Sequence, residues 1–385
     1  MSGDDFAEGN QITLLHSGKE YFPALELAID SASQEIYLET YIFQYDATGT
    51  RIAAALKRAA QRGVAVHLLI DGFGSFGLSK AVIQEMLAAG VRVLIYRQEV
   101  FSFQLKRYHL RRMHRKLAVM DASVAFVGGI NIIDDCYEPD ARFPRFDYAV
   151  KVEGPLLKKI HAAARRLWML VAWVYFKKRW TDFLPVTVNS QPVGHQRASF
   201  VIRDNIRNRR SIERNYLKSI AAARREIILA NAYFLPGKRF RQALILAAQR
   251  GVSVILLLQG KSEYRLQHYA MHALYGHFLE AGIHIHEYRR GYLHAKVAVI
   301  DSIWSTVGSS NIDPFSLLLA REANVIVNDQ GFAAELRSSL QQALQESQPV
   351  LLHSWKNRSR FKRSLNWICY YLLRMLQGLL GYRQE

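Results

Sequence analysis

The sequence predicts an α/β protein built from two duplicated domains related by a pseudo-two-fold, with one site at their interface. Three observations predict it: a histidine-lysine-aspartate motif that occurs twice with identical spacing, further pairs of matched segments in the same order, and strand-like runs alternating with helical ones.

The motif comes first. One copy is His114, Lys116, Asp121, Gly128 and Asn131, within MHRKLAVMDASVAFVGGIN; the other is His294, Lys296, Asp301, Gly308 and Asn311, within LHAKVAVIDSIWSTVGSSN. Chance rarely supplies two matched copies in a chain with 13 histidines. Residues i and i+2 of a strand share a face, so each His and Lys point the same way. Apolar residues on both sides of Asp121-Ala-Ser and of Asp301-Ser302 predict a hairpin in each copy. Such a hairpin returns Gly128 and Asn131 to the His/Lys end, where glycine permits close approach and asparagine can donate its amide to a phosphate oxygen.

The duplication extends beyond the motifs. ALKRAAQRGVAVHLLIDG (55–72) parallels ALILAAQRGVSVILLLQG (243–260), QEIYLETYIF parallels REIILANAYF, and LAAGVRVLIYR parallels LEAGIHIHEYR. Each half reads helix, strand, helix, strand, helix, strand, then the motif hairpin. The continuous apolar runs at 64–70 and 252–258 predict strands buried on both faces. Tyr41, Tyr233 and Phe234 on the repeated strands read as core, and the glycines of DGFGS (71–75) as a turn. The divisions expected are a first domain at 1–177, a linker at 178–200 containing Pro185 and Pro192, a second domain at 201–350, and a basic amphipathic tail at 351–385.

A length of 385 residues permits two full cores, and a net charge of +18 implies a polyanionic partner. Arg165 and Arg166 precede the apolar, aromatic run LWMLVAWVYF, and Lys177, Lys178 and Arg179 follow it. This run falls short of the roughly 20 apolar residues a bilayer span needs and suits an interface. The tail repeats the pattern: Lys356, Arg358, Arg360, Lys362 and Arg363 precede LNWICYYLLRMLQGLLGY (365–382), with Arg374 near its middle. An in-plane amphipathic helix is expected there, drawn to anionic headgroups. The acidic N-terminus carries no signal peptide, and Cys136 and Cys369 make neither a disulfide framework nor a zinc cluster. The expected setting is peripheral, on the cytoplasmic face of a bacterial inner membrane.

The paired HRK…D…GGIN and HAK…D…GSSN segments resemble the phospholipase D superfamily over nearly the whole chain. DYAVKVEGP (147–155), NAYFLPGKRF (231–240) and TVGSSNIDPFSL (306–317) look most similar to bacterial cardiolipin synthases of the shorter type, without N-terminal membrane helices. The resemblance implies two phospholipase D-like α/β sandwich domains and a catalytic set of His114, Lys116, Asp121, His294, Lys296 and Asp301. Within it, Asn131, Asn311 and the two lysines would bind phosphate, Asp147 and Glu322 would orient the histidines, and Asp121 and Asp301 would hold the hairpin turns. An alternative for the two acids is pairing with the adjacent Arg145 and Arg321.

Two imidazoles suffice to exchange a phosphodiester, one attacking phosphorus and one protonating the leaving oxygen, while cations stabilise the equatorial oxygens. No metal and no cofactor is expected. The resemblance implies phosphatidyl transfer from phosphatidylglycerol to a second lipid, with His114 attacking and His294 serving as acid, then base; the reverse assignment stays open. The rival readings are a hydrolase and a superfamily nuclease, since KRYHLRR (106–112) interleaves aromatics with cations. The two amphipathic segments favour anionic phospholipid over nucleic acid.

Overall fold

The computed structural model describes residues 6–97, 111–136, 143–177, 180, 185–204, 208–261, 264–313, 316 and 319–379. The first half contains β1 (Ala7–His16), α1 (Ser17–Ser31), β2 (Glu35–Thr40), α2 (Ala47–Gln61), β3 (Ala65–Asp71), α3 (Lys80–Ala88), β4 (Arg92–Tyr96), β5 (Lys116–Met120), β6 (Val124–Gly128), β7 (Tyr148–Glu153) and α4 (Leu157–Val174). The second repeats it with β8 (Gln196–Arg203), α5 (Ser211–Ala222), β9 (Glu226–Asn231), α6 (Lys238–Gln249), β10 (Ser253–Gln259), α7 (Arg265–Glu280), β11 (His284–Tyr288), β12 (Lys296–Ile300), β13 (Trp304–Gly308), β14 (Glu322–Asn328) and a helix at Gln330–Gln345. A short β15 (Ser347–Pro349) and helices Leu352–Lys356 and Arg360–Leu379 complete the chain's described elements.

Counted outward from the seam, the strand order is β1-β7-β6-β5-β2-β3-β4 in one half and β8-β14-β13-β12-β9-β10-β11 in the other, so the halves share one topology. β2, β3 and β4 are parallel, as are β9, β10 and β11; their residues are almost all buried, as the continuous apolar runs predict. Each motif forms the expected antiparallel hairpin, β5–β6 and β12–β13.

β13 and β14 lie against β6 and β7, so the sheet folds back and the two halves meet face to face. Between and beside these inner faces, α4 and the helix Gln330–Gln345 join one shared core with residues from both halves, including Val127, Val150, Trp168, Val307, Val325 and Leu336. The outer faces are covered separately, by α1 and α2 in the first half and by α5, α6, α7 and the C-terminal helix in the second. Carboxylates tie the inner helices down: buried Glu35 meets His161 of α4 at 2.5 Å, and half-buried Glu226 accepts from Arg337 at 2.6 Å.

The sequence reading misses β1 and β8, which join the halves antiparallel. The expected linker at 178–200 runs into β8, whose polar first residues Gln196 and Arg197 conceal the strand. In β1 the pairing shifts register between Ala7 and Asn10, where Gly9 adopts φ 83°, and this breaks the alternation that marks a strand. Asn10 is fully buried at this irregularity. Its amide donates to the carbonyls of Ala7 (2.7 Å) and Gln196 (3.2 Å), and its oxygen accepts from Leu156 N (2.8 Å) at the start of α4. Asn10→Ala strands these backbone groups in the core and should cost about 2–4 kcal/mol. A melting temperature equal to the parent's would show that the seam does not depend on it.

Candidate active site

The motif histidines stand just before β5 and β12, at the end of the sheet where β2 and β9 finish. A cavity of about 590 Å³ opens there, lined from the first half by Tyr41, Arg112, His114, Asn131 and Arg145 and from the second by Tyr233, Tyr264, His294 and Asn311. The sequence-predicted histidines and asparagines therefore share one cleft. Asn131 accepts from Ile42 N through Oδ1 (3.1 Å), which leaves its NH2 group for the cavity.

The backbone crosses between halves at this point. His114 N donates to the Arg321 carbonyl (3.0 Å) and Arg321 N to the Arg112 carbonyl (2.8 Å); His294 N donates to the Phe146 carbonyl (2.8 Å) and Phe146 N to the Tyr292 carbonyl (2.8 Å). Each histidine segment thus runs beside the segment that carries the other half's carboxylate. The side chains cross in the same way. Nδ1 of His114 lies 2.9 Å from Oε1 of Glu322, and Nδ1 of His294 lies 2.5 Å from Oδ2 of Asp147. With Nδ1 engaged, Nε2 is the nitrogen left to react.

The two acids meet histidines rather than their neighbouring arginines. Arg145 stacks over the Tyr292 ring (4.9 Å), and Arg321 Nε donates to the Tyr96 hydroxyl (3.3 Å). A Cβ at Gly129 would sit 2.3 Å from Oδ1 of Asp147, so glycine makes room for the carboxylate. At the matching position Ser309, fully buried, donates to Oε2 of Glu322 at 2.5 Å. Sequence reasoning overlooks Ser309; the contrast between GGIN and GSSN is the signal that marks it.

Lys116 and Lys296 are buried beneath the histidines, and each donates from Nζ to the carbonyl of its own motif histidine, at 2.6 Å for Lys116. Burial pushes Lys116 down to about 7. Both histidines are lowered by burial, His294 well below its ordinary value with Lys296 adding to the effect, which favours the neutral rings. Burial also raises Asp147 to about 6, opposed by Lys296. A bound phosphodiester brings the negative charge that favours protonating one ring.

Three expectations are corrected or refined. Asp121 and Asp301 do not join the catalytic set: they occupy the far turns of the hairpins with positive φ, and neither lines the cavity. Asp121 accepts from the amides of Ser33, Gln34 and Glu35 at 2.8 to 2.9 Å, and Asp301 from those of Arg224, Arg225 and Glu226 at 2.8 to 3.0 Å. Tyr41 and Tyr233 are not core, because they lie one and two residues past the ends of their strands and line the cleft. The Tyr41 ring is 4.8 Å from that of His114, and the Tyr233 and Tyr292 hydroxyls are 2.8 Å apart. Phe234 is buried as expected. The DGFGS turn is structural: Asp71 accepts from Phe73 N (2.9 Å), Gly74 N (3.2 Å) and Met113 N (2.9 Å), fixing the segment ahead of His114. Of KRYHLRR, only Arg111 and Arg112 lie within the described residues.

Two imidazoles with free Nε2 atoms, each held by a carboxylate from the opposite half of a duplicated α/β fold, define a phosphodiester-exchanging protein of the phospholipase D superfamily. Residues 25–142 and 216–344 match the family model described as cardiolipin synthase, PLD-like domain, and the chain belongs to that family. It is 40% identical to cardiolipin synthase B of Escherichia coli K12 over 389 aligned positions, covering 97% of this chain and 90% of that one. Against cardiolipin synthase 1 of Bacillus cereus it is 28% identical, over 95% of this chain and 72% of the relative. Its fold matches phosphatidylserine synthase from Haemophilus influenzae Rd KW20 with a TM-score of 0.67 at 14% identity, covering 96% of this chain and 94% of that one.

Two outcomes follow from the geometry. Folded Asp147 keeps its proton up to about pH 6, whereas the unfolded chain releases it near the ordinary 3.8. The folded state therefore binds more protons at Asp147 across that window, and this group's contribution to stability falls as pH rises through it. Asp147→Asn should melt at or above the parent temperature at pH 7.5 while turnover falls about a hundredfold or more, because the amide no longer fixes the His294 tautomer. A lower melting point with intact turnover would contradict this placement. Asp121→Ala should do the opposite, costing about 2–4 kcal/mol through its lost turn bonds with turnover per folded molecule retained; paired melts and rate measurements distinguish them.

Proposed function

We propose that this chain synthesises cardiolipin from two phosphatidylglycerols through a phosphohistidine. The crossed histidine–carboxylate pairs within one cleft carry this reading, together with membership of the cardiolipin synthase family. Nε2 of His114 attacks phosphorus; the P–N bond forms as the P–O bond to the headgroup breaks, and His294 protonates the departing glycerol. The hydroxyl of a second phosphatidylglycerol then gives its proton to His294, its oxygen bonds phosphorus, and the P–N bond breaks. Access supports His114 as the nucleophile, since its side chain keeps 16% exposure against 10% for His294. Asn131 and Asn311 stabilise the equatorial oxygens from the cavity wall, where Arg112 and Arg145 add positive charge, while Lys116 and Lys296 act from beneath the histidines.

The protein works on a membrane surface. No helix among the described residues is long and apolar enough to cross a membrane. The helix Arg360–Leu379 buries Asn366, Cys369, Tyr370 and Leu373 at helical spacing, packing against α7, while Phe361, Ile368, Tyr371 and Met375 are 56–77% exposed on its other side. On α4, Trp173 and Val174 are likewise 68% and 56% exposed. Contiguous exposed apolar faces beside basic residues suit anionic lipid rather than nucleic acid. The helix therefore has two roles, one face packed on the protein and one offered to the bilayer at the cytoplasmic side.

Phosphatidylglycerol vesicles incubated with the protein should yield cardiolipin and glycerol by mass analysis, and His114→Ala and His294→Ala should each abolish this while leaving the circular dichroism spectrum unchanged. Phosphatidic acid as the sole product would make the protein a hydrolase. Ile368→Ser combined with Met375→Ser should weaken flotation with anionic vesicles about tenfold or more, with cleavage of a short-chain soluble lipid retained. Equal flotation would exclude this face as the docking surface.

A further inference from the structure

One of the positions at which the matched segments of the two halves differ lies beside the motif histidines. Asp71 ends β3 in the first half, and Gln259 ends β10 in the second, at matching places in IDG and LQG. Both reach the segment before the motif histidine: Asp71 accepts from Met113 N at 2.9 Å, and Gln259 Oε1 accepts from Leu293 N at 3.3 Å. Asp71 has both oxygens occupied. Gln259 is only 3% exposed, and its Nε2 donor has no partner.

That free donor lines a narrow recess that opens from the catalytic cavity on the His294 side, sharing Tyr233, Tyr264, Gln267 and Asp313 with it. Gln267 Oε1, also buried and without a partner, is on the same recess. Phe234, Leu235, Met271 and Leu373, the last supplied by the C-terminal helix, give it an apolar side, and Lys261 joins Asp313 as a charged group on its wall. Burial holds the adjacent His268 down at about 4, so it is neutral. The recess has room for about one or two water-sized groups, enough for a hydroxyl-bearing carbon and too little for a phosphate.

We propose that this recess is the glycerol subsite of the transfer reaction, taking a free hydroxyl of the departing headgroup in the first step and of the acceptor headgroup in the second. The assignment rests on the cardiolipin synthase reading above. A hydroxyl accepts from Gln259 Nε2 and donates to Gln267 Oε1, matching both unpartnered atoms, whereas an ammonium offers three donors and would leave Gln259 unmatched. The neighbouring hydroxyl of the same glycerol then lies toward His294, which protonates it as it leaves and deprotonates it as it attacks. One subsite serves both steps because the second is chemically the reverse of the first with a different glycerol. At the matching position of the first half, both oxygens of Asp71 are already engaged by backbone amides.

Deuterated glycerol and 1-propanol, supplied together as soluble acceptors with phosphatidylglycerol vesicles as donor, test the subsite by the ratio of labelled phosphatidylglycerol to phosphatidylpropanol. The parent should favour glycerol by about tenfold or more, since a site that hydrogen-bonds a hydroxyl discriminates against an analogue lacking it. Gln259→Glu keeps an oxygen for Leu293 N but removes the donor, and Gln267→Met, at a half-buried helix position, removes the acceptor; each should bring the ratio toward one. An unchanged ratio in either soluble variant would overturn the subsite. Failure of the parent to form any phosphatidyl alcohol would instead overturn the transferase reading.

Discussion

The structure depends on carboxylates that serve the opposite half's histidine. Glu322 holds His114 across 208 residues of chain, and Asp147 holds His294 across 147. Neither half can orient its own imidazole, so the site exists only when the inner faces of the two halves are pressed together. The shared core, the β1–β8 seam and the parallel bridges Met113–Arg321 and Phe146–Leu293 all serve that juxtaposition. Because the crossing is built into backbone pairing as well as side chains, the imidazoles are fixed before a substrate arrives.

Local periodicity made much of this legible. The motif spacing predicts His and Lys on one strand face, and the hairpins and the buried parallel strands follow from patterns confined to a few residues. Asp147 and Glu322 were identifiable through the family resemblance, but their exchange between halves is a property of long-range packing that no local pattern encodes. β1 and β8 were hidden because an irregular register and polar residues disturb their alternation. Tyr41 and Tyr233 were misplaced for a geometric reason: they lie one and two residues beyond the ends of β2 and β9, where the strand's face no longer dictates direction.

The site is held together against its own electrostatic cost. Two lysines and two carboxylates lie almost wholly out of water, and burial displaces Lys116 and Asp147 toward their neutral forms. Each charge needs its partners to stay ionised. What offsets the cost lies away from the chemistry, in the turn bonds of Asp121 and Asp301 and in the apolar core that both halves share. This division explains why the motif aspartates recur with the histidines in sequence without meeting them in the cleft: they secure the hairpins that carry the reacting residues.

Duplication alone would produce a symmetric cleft, yet the reaction is not symmetric, since one imidazole must bind phosphorus while the other moves a proton. The departures from symmetry cluster around that need. Gly129 and Ser309 give the two orienting acids different surroundings, and Asp71 is fully engaged where its counterpart Gln259 keeps an unpartnered donor beside a recess. The C-terminal helix, which follows the second half alone, supplies Leu373 to that recess and turns an exposed apolar face outward. On the reading proposed above, one helix thus borders the alcohol recess and offers a face to lipid, so that membrane docking and headgroup recognition are joined through the second half.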